Sequence, residues 1–121
     1  MVGMPKTQPV LDTTAPGCCP PLASGVMSPD DALAVALRLK ALADPVRIQL
    51  MSMLLAEPDT GVCTCDLAPA VGVTEATTSF HLKVLKDAGL CEGTRKGTNV
   101  YYRPNAGALG ALMTVLDPNC C

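Results

Sequence analysis

Aromatic side chains are nearly missing from this sequence, with one Phe, two Tyr and no Trp among 121 residues. Phe80, Tyr101 and Tyr102 cannot fill an interior by themselves. The core must therefore be aliphatic and rich in methionine. Histidine is almost absent too, since His81 stands alone, and that excludes a zinc site built on several imidazoles. Long apolar runs are lacking. The longest uncharged stretch, Thr13 to Pro29, is broken by Pro16, Pro20, Pro21 and Pro29, so no bilayer span is expected. The N-terminus has no basic region followed by an apolar one, and no secretory leader is expected either. These absences point to a cytoplasmic chain with no membrane partner, where thiols are kept reduced.

Catalytic constellations are missing as well. There is no phosphate-binding Walker loop, no C-x-x-C redox pair and no arrangement of paired carboxylates. Ser79 and His81 lie two residues apart, which on a helix turns them away from one another, so they form no nucleophile–base pair. The chain is not expected to be an enzyme.

What the sequence does have is cysteine, seven in all: Cys18-Cys19, Cys63 and Cys65, a lone Cys91, and Cys120-Cys121. Adjacent residues have Cα atoms about 3.8 Å apart, below the ordinary disulfide range of about 4.4–6.8 Å. A bridge inside either vicinal pair would be strained, and the count is odd. Soft-metal ligation or redox sensing fits this pattern better than stapling. Cys91 falls on an expected strand and reads as a core residue.

Charge is unevenly placed. The formal net charge is −2, yet the segment from Thr74 to Arg103 carries five bases and three acids. Those bases are Lys83, Lys86, Arg95, Lys96 and Arg103; the rest of the chain carries four bases against eight acids. A weakly positive island on an acidic chain is compatible with a nucleic-acid partner.

The chain reads as one domain with a tail at each end. Residues 1–27, rich in Pro, Thr and Gly, read as an arm carrying the vicinal Cys pair. Residues 28–116 form the domain, and residues 117–121 a cysteine-containing tail. Ser28-Pro29-Asp30 and Asp44-Pro45 are helix starts, each a capping side chain followed by Pro in the first turn. Leu33, Leu37, Leu39 and Leu42 suit a mostly buried first helix, and Val46, Leu50, Met53 and Leu54 give the second its inward row. Pro69 lacks an N–H and is tolerated only in a first turn, so the third helix is expected to begin near Asp66. Cys63 and Cys65 would then precede it in extended chain, with side chains on one side. Thr74 can cap a fourth helix with Thr78, Leu82, Leu85 and Gly89 inward. "LCEGTRKGTNVYYR" gives two strands around Lys96-Gly97, and "GALGALMTVL" a short apolar helix weakened by two glycines. So small a domain buries a modest share of its surface, which favours dimerisation.

A short helix, a Gly-containing turn, a polar-faced helix and a basic hairpin make a winged helix-turn-helix. The fold expected is mainly α with a β-hairpin, homodimeric, one helix entering the major groove of double-stranded DNA while the hairpin reaches the backbone. Thr77, Ser79 and His81 are candidates for base or sugar-phosphate contacts. Lys83, Lys86, Arg95, Lys96 and Arg103 are candidates for phosphate neutralisation.

Three stretches carry a more specific likeness. "LKALADPVRIQLMSML", "CTCDLAPAVGVTEATTSFHLKVLKDAGL" and "RKGTNVYYR" resemble successive signatures of the ArsR/SmtB family of metal-responsive repressors, over Ser28 to Leu116. The resemblance implies a homodimer that represses its own operon at operator DNA and lets go when metal binds. It also implies that the C-x-C-D-L stretch supplies thiolates to arsenite. In some members an N-terminal vicinal Cys pair does so, completed by a cysteine near this helix in the other subunit. Both features occur here. The pattern is departed from at Pro69 and at Phe80, which stands where a polar residue is common.

The expected inducer is As(III) or Sb(III), because soft ions prefer thiolates, held by Cys18, Cys19 and Cys63 with Cys65 as substitute or fourth thiol. Cd(II) or Pb(II) is an alternative, and so is a thiol-redox trigger on the same scaffold. The rival of another class is a cysteine-rich sequestration protein, which would bind metal but no particular DNA sequence. No organic cofactor is expected.

Overall fold

A computed structural model of the chain describes residues 26–117. Among these are five helices and one three-stranded antiparallel sheet. The chain divides into two compact units, residues 37–106 and the segments flanking them. None of the described helices is long and apolar enough to cross a membrane.

Helix α1 (Pro29–Leu42) starts where the sequence places it, with the Ser28 hydroxyl accepting from the Asp31 N–H at 3.2 Å. The expectation of a mostly buried helix is not met. Only Ala41 is buried, while Leu33, Leu37 and Leu39 are exposed, Leu33 at 59%. A leucine pattern defines an apolar face; it does not say what covers that face. Helix α2 (Pro45–Ala56) is capped by Asp44, whose Oδ1 accepts from the Val46 N–H at 2.8 Å and the Arg47 N–H at 3.3 Å. Its Leu50, Met51 and Leu54 are buried.

The turn after α2 closes at Gly61, with φ +80°. A Cβ there would stand 3.0 Å from Arg103 Cγ and 3.2 Å from the Tyr102 carbonyl oxygen. Glycine is required by both counts. Strand β1 (Val62–Cys63) follows, too short to leave a sequence signal, and runs straight into helix α3 (Thr64–Val71). Helix α3 therefore begins two residues earlier than Pro69 implied. Pro69 sits inside it and leaves the Cys65 carbonyl without its i+4 donor. Full burial of Leu67 and Ala68 offsets that loss, which is tertiary packing overriding local propensity.

Gly72, left-handed at φ 78°, ends α3, and Thr74 begins α4 (Glu75–Asp87) by accepting from the Thr77 N–H at 3.1 Å. The inward row of α4 is Thr78, Leu82 and Leu85, all fully buried. The Thr78 hydroxyl donates to the Thr74 carbonyl at 2.9 Å, so its burial leaves no orphaned donor. Strands β2 (Cys91–Lys96) and β3 (Asn99–Pro104) form the hairpin with Lys96 opposite Asn99, and β1 adds to the other edge of β3. The interior of residues 37–106 is Leu50, Leu54, Leu67, Leu82, Leu85 and Leu90 with Ala41, Met51, Cys63, Ala68, Thr78 and Cys91. It is aliphatic, though leucine rather than methionine dominates it. Helix α5 (Ala106–Leu116) buries Leu112 and Val115 and exposes Met113.

A candidate nucleic-acid interface beside a cysteine corner

The helix-turn-helix is α3, the Gly72–Thr74 turn and α4. Since Thr78, Leu82 and Leu85 face the core, Thr77, Ser79, Phe80, Lys83 and Lys86 face away and are exposed. The Thr77 Oγ1 accepts from the Thr74 hydroxyl at 3.1 Å, which leaves its own O–H to donate outward. Lys83 and Asp87 make an ion pair 2.8 Å long and well exposed. The Asp87 carboxylate, by hydrogen bond and by charge, holds the Lys83 ammonium above its ordinary range, and Lys83 holds Asp87 below its own. Lys86 makes no such ion pair among the described residues and presents the less encumbered charge.

His81 behaves otherwise than a free groove contact. It is half-buried, and its Nδ1 lies 3.0 Å from Arg47 Nη1. Arginine can only donate, so Nδ1 is the acceptor and a neutral ring carries its proton on Nε2. The Arg47 Nε donates in turn to the Ala41 carbonyl at 2.6 Å. Arg47 thus ties the end of α1, the start of α2 and the middle of α4. Desolvation pushes the Asp44 carboxyl up, but N–H bonds from Arg47 and Val46 and the nearby Arg47 charge outweigh it, leaving the group below its ordinary value. Sequence reading assigned Asp44 its capping role and missed Arg47, because a contact between residues 47 and 81 leaves no local pattern.

The hairpin supplies the second positive surface. Arg95, Lys96 and Arg103 are exposed, and Lys96 Nζ stands 5.3 Å from the centre of the Tyr101 ring. Thr60, Thr94, Lys96, Tyr101 and Arg103 line a small open recess on one side of the sheet. Arg103 Nη1 donates to the Asp59 carbonyl at 3.4 Å, fastening the turn after α2 to the hairpin. Thr60 and Tyr101 were not singled out from the sequence.

The cysteines beside this interface are arranged differently from the extended segment first expected. Cys63 is the N-cap of α3, 1% exposed, with its Sγ accepting from the Cys65 N–H at 3.0 Å. Cys65 lies in the first helical turn and is exposed. The strand-to-helix corner nonetheless brings the two sulfurs together, and they are joined as a disulfide with Cα atoms 5.1 Å apart. Reduction would leave two thiols at one corner. Among the described residues no group of three His, Cys, Asp or Glu side chains gathers, so the corner brings together this pair alone. Cys18, Cys19, Cys120 and Cys121 lie outside the described residues. Cys91 is buried, its thiol pushed up to about 11 by desolvation, and its Sγ–H points to the Leu82 carbonyl at 3.8 Å. A thiol that stays protonated is a core residue, as its strand position implied.

Cys63 also connects the helix-turn-helix to the positive hairpin. It caps the first helix of the helix-turn-helix and pairs with Tyr101 in β3, the residue under Lys96.

Comparison with known proteins bears on this arrangement. The family model described as "Bacterial regulatory protein, arsR family" matches residues 44–92. The chain is 38% identical over 84 residues to the arsenical resistance operon repressor of Bacillus subtilis, covering 69% of this chain and 76% of that protein. It is 44% identical over 77 residues to a transcriptional repressor SmtB homolog of Synechocystis, covering 64% of this chain and 56% of that protein. The chain thus spans little more than half the length of that second relative. Among solved structures, a homodimeric winged helix-turn-helix DNA-binding domain from Mycobacterium bovis, a possible ArsR-family transcriptional regulator, is 35% identical. Its TM-score is 0.58 over 77% of this chain and 84% of that one.

Proposed function

The chain belongs to the arsR family of bacterial regulatory proteins, and from that premise we propose a metal(loid)-responsive transcriptional repressor. Two copies bind operator DNA, placing the α4 helices in successive major grooves about one helical turn apart. Thr77 and Ser79 approach bases or sugar-phosphate, with His81 set behind them. Lys83, Lys86, Arg95 and Lys96 meet phosphates. The family is one of regulators, and no catalytic role is assigned.

The inducer in this reading is As(III) or Sb(III), taken by Cys63 and Cys65 in their reduced form together with Cys18 and Cys19 of the N-terminal arm. The observation that carries the reading is the cysteine corner. Its two sulfurs meet at the residue that caps α3 and pairs with β3. Any chemistry there acts on the first helix of the helix-turn-helix and on the wing together. A thiophilic ion at these sulfurs would supply strong, directional bonds to groups that otherwise only cap a helix. For an effective switch the ion must favour the DNA-free state by about 3 kcal/mol, and by linkage DNA must weaken ion binding by the same factor.

The joined sulfurs favour a second reading, in which oxidation of this pair is itself the trigger. Titrating arsenite, antimonite, cadmium, lead and peroxide into reduced protein on a labelled promoter duplex separates the two. Release by arsenite or antimonite alone supports the metalloid reading; release by peroxide without metal supports the redox reading. A Cys18→Ser/Cys19→Ser double variant should keep its DNA affinity and respond poorly to arsenite. An unchanged response removes the arm from the site.

A further inference from the structure

Phe80 is left unexplained by phosphate contacts and thiol chemistry. It is 60% exposed, on the side of α4 opposite the buried Thr78, Leu82 and Leu85, with Ala76, Lys83 and Asp87 as its helical neighbours. A single exposed ring is ordinary on a protein surface, but this one stands on the outward face of the helix read as groove-facing. The ring is also held in place. It sits edge-to-face on His81, centroids 5.4 Å apart at 63°, and His81 is itself bonded to Arg47.

We infer that Phe80 reads a thymine through its C5-methyl group, as a specificity-determining residue of the DNA-bound repressor. This rests on α4 being the groove-facing helix. Lys83 one turn on and Lys86 farther round the exposed surface of α4 suit a polyanion, and Phe80 offers no donor or acceptor to a base edge. In the major groove the apolar group presented by an unmodified base pair is the thymine methyl. Phe80 therefore selects T against C, A and G by burying that methyl, not by hydrogen bonding.

The test begins by selecting duplexes from a random pool with the full-length reduced protein. Each thymine of the enriched half-site is then replaced by deoxyuridine, which lacks only the methyl. Wild type should lose about four-fold in affinity at one thymine per half-site, the worth of one buried methyl. Phe80→Ala, conservative because the side chain is exposed, should bind the T and U duplexes equally, and Phe80→Leu should keep part of the preference. Equal wild-type affinity for every T and U pair overturns the inference, as does a Phe80→Ala variant that still prefers T. A Phe80→Ala change in oligomeric state with no change in T preference also overturns it, assigning the ring to a protein contact. If wild type enriches no sequence at all, the repressor reading fails with it, and that outcome is distinct from enrichment without methyl dependence.

Discussion

Helix α4 and the β2–β3 hairpin are both read as DNA-facing, yet they are built by opposite means. The helix is fixed at its start and along its inner face: capped by Thr74, packed through Thr78, Leu82 and Leu85, and tied to α2 by Arg47 and His81. The hairpin buries only Cys91 of β2 and leaves Arg95, Lys96 and Arg103 in solvent. Reading a base edge needs a side chain held to a fraction of an ångström, so the reader is over-determined. Neutralising a phosphate needs only a charge within reach, so the wing can remain exposed. Precision and reach call for different amounts of burial.

Breaking the helix side of this contrast should cost the most. Leu82→Ala removes a fully buried side chain of α4 and should lower unfolding free energy by about 2–5 kcal/mol, seen in urea denaturation. Thr74→Ala removes the cap of the same helix and should cost about 1 kcal/mol by the same measurement. On the wing, Arg95→Ala should change stability by less than about 0.5 kcal/mol while reducing the salt dependence of DNA binding by about one unit of slope. A large stability loss at Arg95, or none at Leu82, would dissolve the contrast.

Two finer tests sharpen it. Lys86→Ala should weaken DNA binding more than Lys83→Ala, because Asp87 already occupies Lys83. Fluorescence anisotropy at two salt concentrations reads the difference, and equal losses would mean that DNA displaces Asp87 freely. The Asp44 carboxyl, held below its ordinary value of 3.8, contributes stability that is present above that value. That contribution is lost as pH falls through the lower folded value, and an Asp44→Asn variant should show less of this acid loss. Identical acid unfolding profiles would remove Asp44 from the network behind α4.

Much of this arrangement is legible in the sequence because local rules dominate where it is legible. Ser28, Asp44 and Thr74 announce three helix starts, and Gly97 lies in the hairpin turn. Pro69 misled, since the rule against interior proline gave way to the burial of Leu67 and Ala68. That error moved the start of α3 and, with it, Cys65 from extended chain into a helix. The leucines of α1 were read as buried because periodicity records a face and not its cover. Arg47 on His81, and β1 beside β3, were invisible for a simpler reason: each joins residues more than thirty positions apart.

The proposed coupling between the sulfurs at the mouth of α3 and the hold on DNA is tested most directly by one affinity comparison. DNA binding by the reduced full-length protein is measured with and without saturating arsenite, beside a Cys63→Ser variant treated alike, serine being able to keep the cap of α3. Wild type should lose roughly a hundred-fold in affinity, and the variant much less. Arsenite-loaded wild type that holds the duplex as tightly as the untreated protein would contradict the account.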